Sequence, residues 1–428
     1  MNSTVTYAEA DVCNFVEALS RLTDNRDNRG KRHALAFVVA AVVLAILNGR
    51  SKVSSIFRFQ RNRIEWLREI TQYPEAKVIS RAHLPRLLAR LDWMELNLLV
   101  ELHFGVRVEL RATHDWVAMD GKTLRGTLTS GQKQSVVLAI AHESRTLLAQ
   151  APMTGSKASE ITVVRDLLKV SGLEAHKVTL DAHHCNPKTT AQIHQAGGQY
   201  VIQVKGNQPL LFKQCQDLLA TAIPVSIHPE SDKGHGRLTT RQGQCFDMSD
   251  LDLASRWSDS GIHTLVVVER ETWIPAKQKT TCETAYYISN QGLTSDPQGQ
   301  AQELTRAIRE HWHVESENWI RDVTFNEDHV KTTCPNQGQV MGCLRSLAVR
   351  LLRRFKVANF QATLEDFADC PSTRCSSFLL LTFWGKCLLK INFMYGAKIF
   401  DYPFYIFDQM SKAGIRPKFD PFILHEPP

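Results

Sequence analysis

The sequence predicts an α/β protein, with a helical segment over residues 1–108 followed by a mixed-sheet domain. Two observations predict it. Up to about residue 108, apolar positions recur at helical spacing. From about residue 115, three strand-like runs, a helix, a strand, a helix and a strand follow in turn, an order that mixes parallel and antiparallel neighbours in one sheet. A length of 428 residues corresponds to two or three domains, and 43% hydrophobic with 22% charged residues is a globular composition.

The elements follow from local pattern. Ala34–Leu47 is an unbroken apolar run of 14 residues, shorter than the roughly 20 needed to span a bilayer, and is read as a buried helix. Ser80 can cap a helix carrying Leu84, Leu87, Leu88 and Leu91. Trp116–Asp120, Ser135–Ala141 and Thr146–Pro152 read as strands, and Glu160–Val170 has helical spacing. Lys177–Asp181 is a fourth strand; Pro187 opens a helix that Gly197 and Gly198 end, and Tyr200–Val204 is a fifth strand. Leu211–Leu219 reads as helix, Thr239–Ile288 alternates like β structure, and helical spacing returns over Ala301–Arg321 and Gln339–Lys356.

Charge is concentrated. Arg50–Arg90 holds ten Lys/Arg and three Asp/Glu, a balance of +7 that equals the excess of the whole chain. Clustered positive charge is the footprint of a polyanion, most often nucleic acid, although a solvated helical face gives the same count. Arg58, Arg61 and Arg63 interleave there with Phe57, Phe59 and Trp66, a pattern suited to DNA backbone contact. The ten cysteines form no C-x-x-C, and the first fifteen residues carry no secretory pattern, so the expectation is a cytoplasmic protein with no membrane span.

Two strands end in carboxylates, Asp120 and Asp181. On neighbouring strands they reach one sheet edge, and a third carboxylate from a later helix would complete an oxygen cage for Mg²⁺ or Mn²⁺. Two such ions roughly 4 Å apart serve in-line phosphoryl displacement by water or a DNA 3′-hydroxyl. A lone Asp after a strand is more often a turn or cap. Asp120 is distinguished by Gly121-Lys122-Thr123-Leu124-Arg125-Gly126, which joins backbone freedom to two cations. Glu310, Glu315, Glu317, Asp322, Glu327 and Asp328 are all open as the third acid, since helical geometry alone does not choose among them.

Six motifs in order carry a resemblance: Ala118–Gly126, Lys157–Ile161, Leu180–His183, Tyr200–Pro209, Lys233–Arg237 and Arg309–Glu315. With Arg29–His33 and Ile79–Leu84, they resemble the H-repeat-associated (ISAs-type) insertion-sequence transposases of the DDE class over roughly residues 10–365. The resemblance implies an RNase H-like catalytic core over 109–365 with a β-rich insertion at about 211–300, preceded by a helical domain over 1–108. It implies two Mg²⁺ (or Mn²⁺) ions held by Asp120, Asp181 and Glu315, and cleavage and strand transfer on double-stranded DNA. It also implies a homodimer that pairs the terminal inverted repeats and meets target DNA near the nucleoid. The 134 residues between Asp181 and Glu315 leave room for the insertion. Lys122, Arg125, Lys205, Arg237 and Arg309 are the candidate DNA contacts of this core, with solvation or ion pairing as the plain alternative for each.

The sequence departs from the family twice. Trp319 and Asp322 follow Glu315 at four and seven positions instead of five and eight. One residue fewer turns the rest of a helix by about 100°. From Pro371 the chain matches nothing in the family, and residues 366–428 read as an atypical tail. A decayed copy that binds DNA without cleaving it is therefore the alternative function. A zinc hydrolase built on His183, His184, Cys185, His311 and His313 matches no zinc-site spacing.

Overall fold

Consecutive apolar residues buried on both faces suit a strand in the middle of a sheet, and Val136–Ala141, within Gln134–Ala141, is such a run. In the computed structural model it is the second strand of one nine-stranded sheet. The structure describes residues 15–28, 31–104, 115–125, 134–153, 157–234, 236–329, 331–354 and 357–371. All but Phe15 belong to one compact unit, Val16–Ser376; the other unit, Met1–Phe15 with Ser377–Pro428, otherwise lies outside the described residues. The tail read over 366–428 therefore falls almost wholly outside them.

The sheet is built from β1 (Trp116–Leu124), β2 (Gln134–Ala141), β3 (Leu147–Met153), β4 (Lys177–Leu180), β5 (Gln199–Val204), β6 (Ser226–Gly234), β7 (Arg237–Asp247), β8 (Thr264–Ile274) and β9 (Lys279–Ser289). Their order is β3-β2-β1-β4-β5-β9-β8-β7-β6. β1, β4 and β5 run parallel and the other neighbours antiparallel. The mixed sheet is as expected, and the β-rich stretch is part of it. β9 pairs with β5 through Val201–Ser289 and Ile202–Ile288, so β6–β9 extend the same sheet.

Among the described residues, six helices precede the sheet: α1 (Phe15–Leu19), α2 (Leu35–Leu47), α3 (Val53–Asn62), α4 (Ile64–Thr71), α5 (His83–Leu88) and α6 (Trp93–Phe104). The apolar run is α2, and every residue of it after Leu35 is buried. Among the described residues no helix is long and apolar enough to cross a membrane. Later come α7 (Lys157–Ser171), α8 (Pro187–Gln195), α9 (Pro209–Thr221), α10 (Pro297–Glu310), α11 (His313–Val323), α12 (Pro335–Arg354) and α13 (Phe360–Asp369). Asn186 caps α8 by accepting from Thr189 N, with Pro187 in the first turn.

Three packings position the site. α10 lays Ala301, Leu304, Ala307 and Ile308, one face of a helix, on Trp116, Val201, Cys245, Val266 and Val268. The helix comes close enough that a methyl group at Gly243 would stand 3.0 Å from Thr305 Cβ. Val314 of α11 is buried with Ala118, Leu138 and Ile140, which fixes the start of that helix over β1 and β2. α12 packs against α2, α5 and α6. Its Asn336 side chain donates to Ala89 O and Leu91 O at 2.8 Å, and Arg345 donates to Ser51 O at 3.0 Å.

The structure corrects two local expectations. The smooth apolar spacing over 301–321 predicts one helix, but it breaks at His311–Trp312 into α10 and α11. The strand read as ending at Asp120 runs on to Leu124, because β1 stays paired with β2 from Val117–Ala141 to Leu124–Gln134.

Candidate active site

The β1–β4 ladder ends at the pair Met119–Leu180. Beyond it β1 continues with β2 alone, while β4 stops and Asp181 caps a turn over Ala182–His184. The two strands part at the next position on each, Asp120 and Asp181. The carboxylates thus stand side by side in the notch that the parting opens, the topological position where α/β sheets gather sites. Asp181 also does the ordinary work of a strand-end Asp, its Oδ1 accepting from His183 N at 3.0 Å.

Glu315 arrives from the first turn of α11, next to the buried anchor Val314. Its carboxyl is raised by burial. The Asp120 carboxyl is pushed up to about 6, first by burial and then by the charges of Asp181, Glu160 and Glu315. Of the six acids open as the third carboxylate, Glu315 is the one that acts on Asp120. Glu310 pairs with Arg306, Glu317 with Arg353, Asp322 and Glu327 with Lys122, and Asp328 with Arg125.

Among the described residues no three His, Cys, Asp or Glu side chains are gathered closely enough to enclose a metal ion. The donor set still fits a hard divalent cation. It is made of carboxylate oxygens, and burial, then the neighbouring acid charges, already hold the Asp120 carboxyl high, which a cation would relieve. Cys185 points the other way: burial pushes its thiol up to about 12, which disfavours the thiolate that zinc would need.

A cleft of about 1060 Å³ opens beside the carboxylates. It crosses the sheet from β4 towards β6 beneath α10, with Asp181 and Glu315 in its wall. Its cations are Lys205, Arg145, Arg241, Arg270, Arg306 and Arg309. Lys205 is exposed. Most of the arginines are held by acids: Arg309 by Glu230 and by Asp232 at 3.1 Å, Arg241 by Asp232, Arg270 by Glu283, and Arg306 by Glu310 at 2.8 Å.

The other expected DNA contacts scatter. Arg237 starts β7 and is exposed, and Arg125 is exposed beside Asp328. Arg58 and Arg61 are exposed on α3, and exposed Arg63 follows them at the α3–α4 junction. Lys122 is different. It is 5% exposed, and its Nζ lies 2.6 Å from Asp322 Oδ1 and 2.7 Å from Glu327 Oε2. Its charge is engaged inside the protein, and a phosphate would reach it only by breaking those pairs. A cation in an alternating strand has one buried and one exposed choice of face, and residue type alone did not reveal which.

Three features escaped the sequence reading. Glu160, in the first turn of α7, lies against Gly121, where even a methyl group would stand 2.5 Å from its Cδ. Thr179 Oγ1 joins His142 Nε2 and His311 Nδ1, each at 2.9 Å, tying the α10–α11 break to β4. Burial holds these imidazoles low, His142 at about 3 and His311 at about 4, so both are neutral near pH 7. Third, Glu327 is buried among Lys122, Arg321 and Arg345.

Comparison with known proteins gives the chain a family. A model described as transposase DDE domain matches residues 111–351, and one described as associated with that domain matches residues 16–101. The chain is 27% identical over 368 residues to the Escherichia coli K12 protein YbfL, covering 82% of this chain and 93% of that one. It is equally similar, 27% over 368 residues, to the H repeat-associated protein YhhI of the same strain, again covering 82% and 93%. YncI of Escherichia coli O157:H7 is 25% identical over 362 residues, covering 80% of this chain and 88% of its own. The names of YhhI and YncI include the word transposase.

Proposed function

The chain belongs to the transposase DDE-domain family, whose setting is DNA transposition by insertion sequences, and on that premise we propose that it cleaves element ends and transfers the strands. The observation that carries the reading is the set Asp120, Asp181 and Glu315, brought to one notch with their charges acting on Asp120. The strand order β3-β2-β1-β4-β5, with antiparallel β1–β3 and parallel β1, β4 and β5, supports an RNase H-like core, with β6–β9 as its insertion.

In this reading Asp120, Asp181 and Glu315 hold two Mg²⁺ or Mn²⁺ ions. Bound there, the ions supply the positive charge that lets water or a DNA 3′-hydroxyl displace a phosphodiester oxygen. The chain's own part is positioning. Lys205, Arg309 and the other cleft arginines set phosphates of a duplex against the carboxylate wall, and acid partners hold Arg241, Arg270, Arg306 and Arg309 in place beforehand. Arg58, Arg61 and Arg63, with Arg125 and Arg237, grip duplex outside the cleft. Each transposition event must bring two element ends together, which favours a homodimer on DNA in the bacterial cytoplasm, at the nucleoid.

The test is a duplex carrying the terminal inverted repeats that flank the reading frame. The wild-type chain should nick it with Mg²⁺ or Mn²⁺, and Asp181→Asn should bind but not nick. A wild-type chain that binds this duplex and leaves it intact with either ion overturns the catalytic reading and leaves a decayed transposase that only binds DNA.

A further inference from the structure

We propose that Glu160 is a fourth oxygen donor of the Asp120–Asp181–Glu315 centre, admitted by the missing side chain at Gly121 and backed by His184. The inference rests on the metal-dependent reading of that centre. Two independent observations carry it.

The first is the fit to β1. Gly121 directly follows Asp120 in the strand, and a methyl group there would stand 2.5 Å from Glu160 Cδ and 2.9 Å from Oε2. The Glu160 carboxyl therefore fills the space that any other residue at 121 would take, and it does so from the first turn of α7. A strand gives no backbone reason for glycine; its presence weakens the strand and marks a close approach. What approaches here is a carboxylate, one residue from Asp120.

The second is His184. It is fully buried, and neither ring nitrogen makes a hydrogen bond among the described residues. Its Nε2 faces two acids, 3.4 Å from Glu160 Oε1 and 3.8 Å from Asp181 Oδ1. A buried imidazole left unsatisfied carries a cost unless its partners are completed by something else in the site. Its Nε2 stands near one oxygen of each carboxylate, Glu160 and Asp181, the place that an outer partner takes beside oxygen donors.

Equilibrium Mn²⁺ binding to the full-length chain tests this, with melting in chelator as the measure of folding. Glu160→Gln should melt like wild type and bind Mn²⁺ roughly 10-fold to 100-fold more weakly. Gly121→Ala should show a similar loss with all four acids present, because the methyl group displaces the Glu160 carboxyl. Asp120→Asn is the control for the centre itself. If Asp120→Asn weakens Mn²⁺ binding while a folded Glu160→Gln binds as wild type does, Glu160 is no donor and the centre stands with three. If Asp120→Asn also binds as wild type, the metal reading falls and Glu160's part falls with it.

Discussion

Lys122 Nζ lies 2.7 Å from Glu327 Oε2, a pair joined across 205 residues of sequence and sealed at 4% and 2% side-chain exposure. Arg321 at 3.0 Å and Arg345 at 3.9 Å approach the other oxygen of the same carboxylate. One buried acid thus neutralises cations from β1, α11 and α12. Removing it takes the acid partner from Arg321 and Arg345 and leaves Lys122 with Asp322 alone, and breaking such a pair costs about 3–5 kcal/mol. Glu327→Ala should lose about that much in denaturant unfolding at pH 7.

The same residue predicts acid sensitivity. Burial alone would raise the Glu327 carboxyl, but Arg321, Lys122 and Arg345 pull it down from 4.5 to about 2. A carboxyl held lower in the folded than in the unfolded chain stabilises the fold fully above its unfolded value, and loses that contribution as pH falls towards the folded one. Stability should therefore decline between about pH 4.5 and pH 2 through this group. A Glu327→Gln chain, compared by denaturant midpoint at several pH values, should show a shallower decline over that window. Equal slopes for the two chains would remove Glu327 as the cause.

Asp120 has the opposite sign. Its carboxyl is held at about 6 in the fold, so its ionisation opposes folding near neutral pH. In chelator, Asp120→Asn should melt above wild type by roughly one to two degrees, since about 1 kcal/mol shifts a chain of this size by roughly 1 °C. Calorimetry measures it. A lower melting temperature would mean that the aspartate makes a supporting bond that outweighs the repulsion.

Lys205 and Lys122 separate a surface role from a buried one. Lys205→Ala should flatten the dependence of log affinity on log salt by roughly one unit, the signature of one lost phosphate contact. Lys122→Ala should destabilise the fold and leave that slope unchanged, because its ammonium is bound to Asp322 and Glu327. Filter binding at four salt concentrations distinguishes them. A slope unchanged by Lys205→Ala removes the lysine from the DNA path.

The helices before the sheet should not be dispensable. Asn336, Arg345 and Arg350 of α12 donate to backbone carbonyls of residues 51–100, and α12 packs on α2, α5 and α6. A chain beginning at residue 109 uncovers that face and leaves buried donors unpaired. It should elute as aggregate on gel filtration where the full chain does not.

Asp120 and Asp181 were readable because each ends a short apolar run, and parallel pairing then puts them level. The succession of β1–β5 and the helices between them along the chain was readable from the same runs. Glu315 needed a motif, since six acids share its stretch of chain and only their distant partners tell them apart. The break at His311–Trp312 left no mark, because α10 and α11 both keep their apolar faces inward and the spacing runs smoothly across it. Lys122 and Glu160 were obscured for a similar reason. One is a lysine whose partners lie about two hundred residues on, and the other a glutamate whose neighbour is distinguished only by lacking a side chain.

The β5–β9 ladder makes the sheet side of the cleft one piece of woven backbone. On that side β6–β9 cannot swing aside as a door, since that would tear a run of paired strands. Whatever lies in the cleft must conform to that wall. The work of deformation then falls on the nucleic acid, and steps that bend or unstack readily would be favoured at the cut over stiff ones. A rigid protein of this kind would select its sites partly by how easily they yield.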